Sequence, residues 1–364
     1  MGETYMKKFI AVLVASGALL ASVAAYNPPV GSENMEDLTG AEALSGKLSV
    51  TGGAIFSAGP DAIVANPALT ADEQRVNLNA GYTFMYSTSE YTDLHIGNAF
   101  QSGILIPFKL YIFSGYVNGL FIPFPELPLG NNLNAKAGLS KEITDKLNVG
   151  ASISGGITWG HETDWALGAN LGFLYKYGDL GFIKSFRYGA SVLNLGKNYI
   201  NVNSIGSDVF SEITQYPTIA TFKVGAAGSF IKTDDVELGV SIDFTTPCFQ
   251  NLIVDFNTQF AIKDTFFVSI GEKFNLIETI RASQDKFLCN YNLLPSIGLS
   301  FKFCFDVHNN EYIESNGWSQ SEMTVSAAYK NMYENIHAAS AAVDIDLGMK
   351  DKEPPKIILI DMED

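Results

Sequence analysis

From Val76 onward, apolar and polar residues alternate with the two-residue period of a β-strand. Between Val76 and Tyr86 every second residue is apolar or aromatic, and the residues between them up to Thr83 are Asn, Gly or Thr. The same pattern recurs in residues 147–159, 236–245 and 296–305. Segments of about ten alternating residues separated by turn residues are typical of a transmembrane β-barrel.

The segments predict fourteen strands. We place them near 75–88, 94–107, 109–122, 132–142, 146–159, 164–177, 186–195, 219–231, 235–245, 250–262, 265–273, 294–305, 321–333 and 337–348. An even number puts both ends of the barrel on the periplasmic side. The long connections at 196–218 and 274–293 then lie on the outer side of the membrane, opposite the periplasm. The connection 306–320 breaks this rule, so either a short strand is missing from the count or that turn is elaborate.

A soluble β-sandwich is the alternative, because it also alternates one dry and one wet face. A sandwich of this length would need two or more domains with linkers, and the sequence has no such linkers. Aromatic residues collect instead near strand ends, as at 82–86 and 173–177, which is typical of interfacial girdles. We therefore predict an all-β fold, a transmembrane antiparallel barrel over residues 75–348.

The two termini are predicted to lie outside the barrel. Residues 1–25 have the features of an export signal: Lys7 and Lys8, an apolar run at 9–20, and small residues at 22–25. That apolar run is too short to span a membrane as a helix. Residues 349–364 form a separate tail, because the Pro354-Pro355 pair ends a strand.

Residues 26–74 are predicted to form a plug inside the barrel, because residues 52–69 are small, apolar and almost uncharged. Glycines give this segment backbone freedom, and Gly59 is the predicted hinge. Asn66 followed by Pro67 predicts the start of a helix. The predicted gate residues are Gly52, Gly53, Gly59, Asp61, Asn66, Pro67 and Ala68.

Four stretches of sequence support a family resemblance. They are Asp61-Ala62 with Asn66-Pro67-Ala68, then 188–196, 224–227 and 238–243. Together they resemble the FadL-type long-chain fatty-acid transporters and their PorV-like relatives, and most of all the paralogous FadL-like barrels of spirochaetes. This resemblance implies a fourteen-stranded barrel with an N-terminal plug that passes hydrophobic molecules across an outer membrane. The C-terminal tail departs from the usual ending of such barrels.

Charge and composition limit the classes of molecule that the protein is expected to bind. The chain carries a net charge of −16 with 17% charged and 47% hydrophobic residues, which argues against nucleic acid as a partner. In the predicted lumen, Arg187 or Lys223 could hold a ligand carboxylate, with an apolar tail lined by plug residues. Those residues are Ile55, Phe56, Ile63, Val64 and Leu69. Alternatively, the charged side chains of the lumen only bond one another around the plug.

The sequence predicts neither catalysis nor a cofactor. It has no Gly-x-Ser-x-Gly motif and no metal-spaced cluster, and its four histidines fall in or beside predicted connections. Cys248 and Cys289 both lie in predicted outer connections, so they form either a disulfide or unpaired thiols. Cys304 lies at the far end of its strand, beyond disulfide reach.

We therefore predict passive uptake of a hydrophobic molecule, with long-chain fatty acids favoured, through a cell outer membrane and gated by the plug. The expected partners are outer-membrane lipid and the hydrophobic ligand. A second hypothesis is a PorV-like barrel that binds a periplasmic or surface protein and assists export or display. A third is a structural or adhesive surface barrel.

Overall fold

A computed structural model describes residues 28, 31–87, 96–122, 124, 130–160, 163–199, 220–284, 294–305, 320–332 and 336–348. These residues form fourteen antiparallel strands that close into one barrel, in which each strand pairs with its sequence neighbours and β1 pairs with β14. The predicted signal at 1–25 and the tail at 349–364 lie outside the described residues, as do His95, His161, His308 and Cys289.

The strands lie close to their predicted positions. They are β1 Val76–Ser87, β2 Ile96–Pro107, β3 Ile112–Ile122, β4 Gly130–Thr144, β5 Leu147–Trp159, β6 Thr163–Leu180, β7 Ile183–Lys197, β8 Thr221–Lys232, β9 Val236–Pro247, β10 Ile253–Ile262, β11 Phe266–Asn275, β12 Ser296–Phe305, β13 Ser321–Met332 and β14 Ile336–Leu347. β12 pairs directly with β13, so no strand is missing between them. The predicted count is confirmed.

The alternation separates an apolar outer face from a polar inner face. Ile153 on β5 is 62% exposed, whereas its neighbour Ser152 is 6% exposed. Leu299 and Ser300 on β12 show the same contrast. A closed sheet that is apolar outside and polar inside is the arrangement that a bilayer requires. The sandwich alternative is wrong, because the sheet closes on itself instead of packing against a second sheet.

The barrel has two distinct ends. We call the end where β1 begins and β14 finishes the terminal end, and the opposite one the loop end. At the terminal end, β10 turns into β11 through Lys263 and Asp264, whose φ angles of 51° and 49° are left-handed. Such angles match a tight hairpin to the twist of its strands.

One element of the loop end was not predicted. The helix Leu276–Gln284 follows β11 directly, within the predicted connection 274–293. Asn275 begins it, because its Oδ1 atom accepts a hydrogen bond from the Glu278 backbone N–H at 3.2 Å. An Asn three residues before a Glu is a helix-start signal that the sequence does contain. Among the described residues, no helix is long and apolar enough to cross a membrane.

The two faces can be tested with one pair of adjacent residues at the middle of β5. We expect Ile153→Arg to reduce the stability of the folded barrel in a bilayer by about 2–4 kcal/mol, because a charged side chain would face lipid. Ser154→Arg should cost much less, since Ser154 lines a cavity on the inner face. The measurement is urea-dependent folding into lipid vesicles. Equal costs for the two variants would contradict the assignment of the faces.

Candidate functional site

The segment 31–75, which we call the N-terminal segment, lies within the barrel. Its hydrogen-bond partners include groups on eight strands, β2, β3, β4, β6, β7, β9, β10 and β11: the side chains of Gln101, Asn118, Lys136, Ser191, Asp243, Gln259 and Lys273 and the backbone carbonyl of Phe173. Because these strands surround the lumen, a segment that contacts all of them must occupy it. Its short helices are Ala41–Leu44 and the 3-10 turns Ser32–Leu38, Pro60–Val64 and Leu69–Asp72.

Residues 49–54 are held to the wall by Arg187 and Asp243, a set of contacts that we call the central clamp. Arg187 Nε donates to the Thr51 carbonyl at 2.8 Å, and its Nη2 donates to the Gly53 carbonyl at 2.5 Å. Asp243 Oδ2 accepts from the Val50 backbone N–H at 2.7 Å. Charged groups that bond to buried backbone atoms form strong hydrogen bonds. The clamp therefore fixes the middle of the segment.

Glycine is required at two positions of the clamped stretch. Gly52 and Gly53 have φ angles of 80° and 86°, which other residues rarely adopt. This tight turn presents successive carbonyl groups to Arg187. The Arg187 guanidinium also lies over the Phe56 ring, 5.3 Å from its centroid. Arg187, predicted as a carboxylate ligand, thus directs its Nε and Nη2 donors to the N-terminal segment in this structure.

The prediction that Asn66 begins a helix at Pro67 is wrong. The 3-10 turn starts at Leu69, and Asn66 Oδ1 accepts from the Ala68 backbone N–H at 3.0 Å. Its Nδ2 donates to the Val50 carbonyl at 2.8 Å and to the Phe173 carbonyl of β6 at 3.0 Å. The side chain is fully buried. Asn66 therefore joins two parts of the segment to the wall.

Gly59 has a φ angle of −89°, an angle open to most residues, so its backbone conformation does not require glycine. The lack of space for a side chain requires it. A methyl group at residue 59 would lie 2.8 Å from Asp61 Oδ1 and 2.9 Å from Asp344 Oδ2. Glycines on the barrel wall also let the N-terminal segment approach the wall closely. A methyl group on Gly150, for example, would lie 2.3 Å from the Pro67 carbonyl oxygen. The sequence shows these glycines but not their partners.

Two cavities lie at opposite ends of the N-terminal segment. The loop-end cavity has a volume of about 120 Å³ and is lined by four lysines and four carboxylates along with apolar and small residues. The terminal-end cavity has a volume of about 260 Å³ and is lined by eight carboxylates and three cationic side chains. Leu48 lines both cavities. It packs on the buried cluster of Ile63, Val64 and Tyr116.

The predicted ligand-binding residues divide between the two cavities. Val64 and Lys223 line the loop-end cavity, whereas Ile55, Phe56 and Leu69 line the terminal-end cavity. Ile63 and Arg187 are buried and line neither of these two cavities. Four predicted gate residues also line the terminal-end cavity: Gly52, Gly53, Gly59 and Asp61. One continuous ligand site is therefore not formed in this structure.

Lys223 differs from the other lysines of the loop-end cavity. Lys136 pairs with Glu36 at 3.0 Å, and Lys197 and Lys273 also have carboxylate partners. Among the described residues, the Lys223 ammonium group forms no ion pair and donates no hydrogen bond; the nearby Asp243 carboxylate accepts from Ser49 and Val50 instead. Its side chain is half-buried and borders the cavity. An ammonium group without a partner is available to an anionic ligand.

Asp61 is a buried carboxyl group of the N-terminal segment. Burial, and then the nearby Glu42 carboxylate, raise its pKa to about 7, while Lys47 acts in the opposite direction. The described residues contain no group of three or more His, Cys, Asp and Glu that could hold a metal ion. The Cys248 thiol is free and buried. Cys289, its predicted disulfide partner, lies outside the part of the chain that the structure describes.

No protein-family profile and no curated protein matches the sequence. Among solved structures, a TodX monoaromatic hydrocarbon channel mutant is 12% identical over 80% of this chain and 95% of that chain, with a TM-score of 0.49. The toluene transporter TbuX of Ralstonia pickettii is 11% identical over 87% and 99% of the two chains, with a TM-score of 0.49. The toluene transporter TodX of Pseudomonas putida is 11% identical over 89% and 98%, with a TM-score of 0.47.

At this identity the likeness concerns the shape of the barrel and no property of its interior. The barrel that the FadL-type resemblance implies is present in this chain. The narrower resemblance to spirochaete paralogues stays a prediction.

The central clamp can be tested by removing its cation. We expect Arg187→Met to weaken docking of the N-terminal segment by about 3 kcal/mol, because the variant loses charge-assisted bonds to buried carbonyl groups. Planar-bilayer conductance should rise, and proteases should cut within residues 49–54. Lys184→Met is the matched control, since Lys184 lies on the same strand in an exposed pair with Asp179. If Arg187→Met changes neither conductance nor cleavage, the clamp does not hold the segment.

Proposed function

We propose that this protein is a passive channel for hydrophobic molecules in a cell outer membrane, with long-chain fatty acids as its favoured ligands and the N-terminal segment as its gate. One observation carries the proposal. The lumen holds a cavity at each end, and the single side chain of Leu48 borders both. Displacement of that side chain with the segment that carries it would widen the path between the two cavities.

The size of the cavities supports a gate. Ligand pockets typically measure about 300–1,000 Å³, whereas the loop-end cavity measures about 120 Å³ and the terminal-end cavity about 260 Å³. A long acyl chain needs more room than either cavity provides. Passage of such a chain therefore requires movement of the N-terminal segment, and the central clamp opposes that movement.

Lys223 supports a carboxylate-bearing ligand. Its ammonium group, which forms no ion pair with the described residues, borders the loop-end cavity, where Leu48, Val64 and Leu193 supply apolar surface. A fatty acid could pair its carboxylate with Lys223 and lay its first methylene groups against these side chains. The apolar outer face supports the outer-membrane location, since a closed barrel of this kind suits a bilayer.

Leu48 provides the test of the gate. We expect Leu48→Ala to connect the cavities and to raise both single-channel conductance and uptake of a labelled fatty acid several-fold in a transporter-deficient host. Leu38→Ala is the control, because Leu38 is the same size and lies more deeply buried in the same segment but borders neither cavity. A rise in conductance without a rise in uptake would favour the partner-binding hypothesis. Equal effects of both variants would show that general loosening, not the position of Leu48, opens the channel.

Lys223 provides the test of ligand class. We expect Lys223→Met to lower the uptake of labelled oleate about tenfold, because one charge-assisted contact is lost. Uptake of toluene, which has no carboxylate, should stay within twofold of the wild-type rate, and Lys223→Arg should restore oleate uptake. Equal losses for oleate and toluene would exclude carboxylate recognition by Lys223.

A further inference from the structure

The terminal-end cavity contains more negative charge than its own cations neutralise. Eight carboxylates and three cationic side chains line it. Five of the carboxylates have a cationic partner: Asp72 with Lys176, Glu73 and Asp346 with Arg75, and Asp264 and Glu322 with Lys302. Among the described residues, Glu42, Asp61 and Asp344 have no ion pair. Lys47, the third cation of the lining, faces Asp61 at a distance longer than an ion pair, so these three carboxylates, which we call the acidic trio, outnumber their cation.

Three separate elements bring the acidic trio together. Glu42 lies on the helix Ala41–Leu44, Asp61 on the 3-10 turn Pro60–Val64, and Asp344 on β14. Asp61 Oδ1 and Asp344 Oδ2 both approach the bare α-carbon of Gly59. Asp61 is only 6% exposed, and its carboxylate accepts hydrogen bonds from the backbone N–H groups of Asp61 and Ala62. These bonds leave its negative charge without a paired cation, and a buried charge is costly unless it is paired.

A second observation, from a residue that carries no charge, indicates that donors are missing. Asn77 is 2% exposed and lines the same cavity. Its Nδ2 donates to Asp344 Oδ1 and to Asp346 Oδ1, each at 2.6 Å. Its Oδ1 atom is buried and has no hydrogen-bond partner. Since buried acceptors nearly always have a partner, this polar part of the wall is short of donors.

The surroundings specify the kind of donor. No group of acidic residues in the described part of the chain is arranged to hold a metal ion. Apolar and aromatic side chains form the other part of the wall: Ile55, Phe56, Leu69 and Phe267. A ligand that matches both parts carries N–H donors and a positive charge at one end and an apolar group at the other. A volume of about 260 Å³ suits a small molecule of this kind.

We propose that the terminal-end cavity binds a hydrophobic organic cation, a protonated amine joined to an apolar group. The ammonium group pairs with Asp61 and Asp344, with Glu42 nearby, and its apolar part packs against Phe56 and Leu69. This site is separate from Lys223 and the loop-end cavity. It does not depend on fatty-acid uptake, so either proposal can fail alone.

The test uses benzylammonium chloride as the probe. It is titrated calorimetrically into the refolded full-length barrel in zwitterionic-detergent micelles at pH 8, with protein-free micelles as the blank. We expect saturable binding at one site and affinities about tenfold lower for benzyl alcohol and for benzoate, which have the same ring without the positive charge. No binding of benzylammonium, or equal affinity for the alcohol, would overturn the proposal. Displacement of the probe by millimolar Ca²⁺ would assign the trio to a metal instead.

Variants locate the site. Asp61→Asn and Asp344→Asn should each lower the affinity for benzylammonium about tenfold, a loss that corresponds to one pKa unit of interaction. Asp264→Asn is the matched control, because Asp264 lines the same cavity but is exposed and paired with Lys302. Heat-modifiable migration on gels verifies folding. If all three variants bind alike, the ammonium group does not contact the trio.

The pH dependence gives an independent readout that needs no variant. Glu42, Lys47, Asp344 and Asp346 are the charged groups that face Asp61 or its neighbour Asp344. Because burial raises the Asp61 pKa to about 7, Asp61 gains a proton between pH 8 and pH 5 while benzylammonium stays charged. We expect weaker binding at pH 5 than at pH 8, with a smaller difference in Asp61→Asn. Stronger binding at pH 5 would contradict the proposed ion pair.

Discussion

Hydrogen bonding of the backbone is the constraint on which this structure depends. A strand in lipid cannot leave its N–H and C=O groups unpaired, so the sheet must close. Closure between β1 and β14 removes the edges and divides every strand into a face toward lipid and a face toward the lumen. The lumen then holds polar side chains that need partners of their own. The N-terminal segment supplies them, and this explains why its backbone carbonyls meet Arg187 and its N–H group meets Asp243.

The barrel could be predicted from the sequence because the two faces have opposite chemistry at every second residue. The pattern at Leu299 and Ser300 is local, and so is the left-handed turn at Lys263 and Asp264. Local rules suffice for strand positions to within a few residues. Local rules did not predict the helix Leu276–Gln284 at the loop end, because alternation stops there and the only signal for the helix is a short cap.

The interior could be predicted only in part, because its contacts join residues far apart in the chain. Arg187 and Thr51 are separated by 136 positions, and no spacing rule relates them. Arg187 and Lys223 look equivalent in the sequence, yet one is committed to the N-terminal segment and the other borders a cavity. The use of Gly59 is similar, since its importance comes from the neighbouring carboxylates and not from its own backbone angles. The position of Leu48 between the two cavities could not be predicted, because a leucine in this segment looks like any other packing residue.

The two ends of the lumen differ in charge, and this difference bears on how a ligand would cross. At the loop end, four lysines balance four carboxylates, and Lys223 remains open to an anion. Beyond Leu48, eight carboxylates face three cations. A fatty-acid anion held by Lys223 would therefore meet repulsion at the terminal end, whereas a neutral molecule would not. Under the proposed function, a fatty acid would cross the acidic cavity most easily in its protonated form. The negative charge of that cavity then favours the release of an acid. Under the proposed amine site, the same charge favours the retention of an amine.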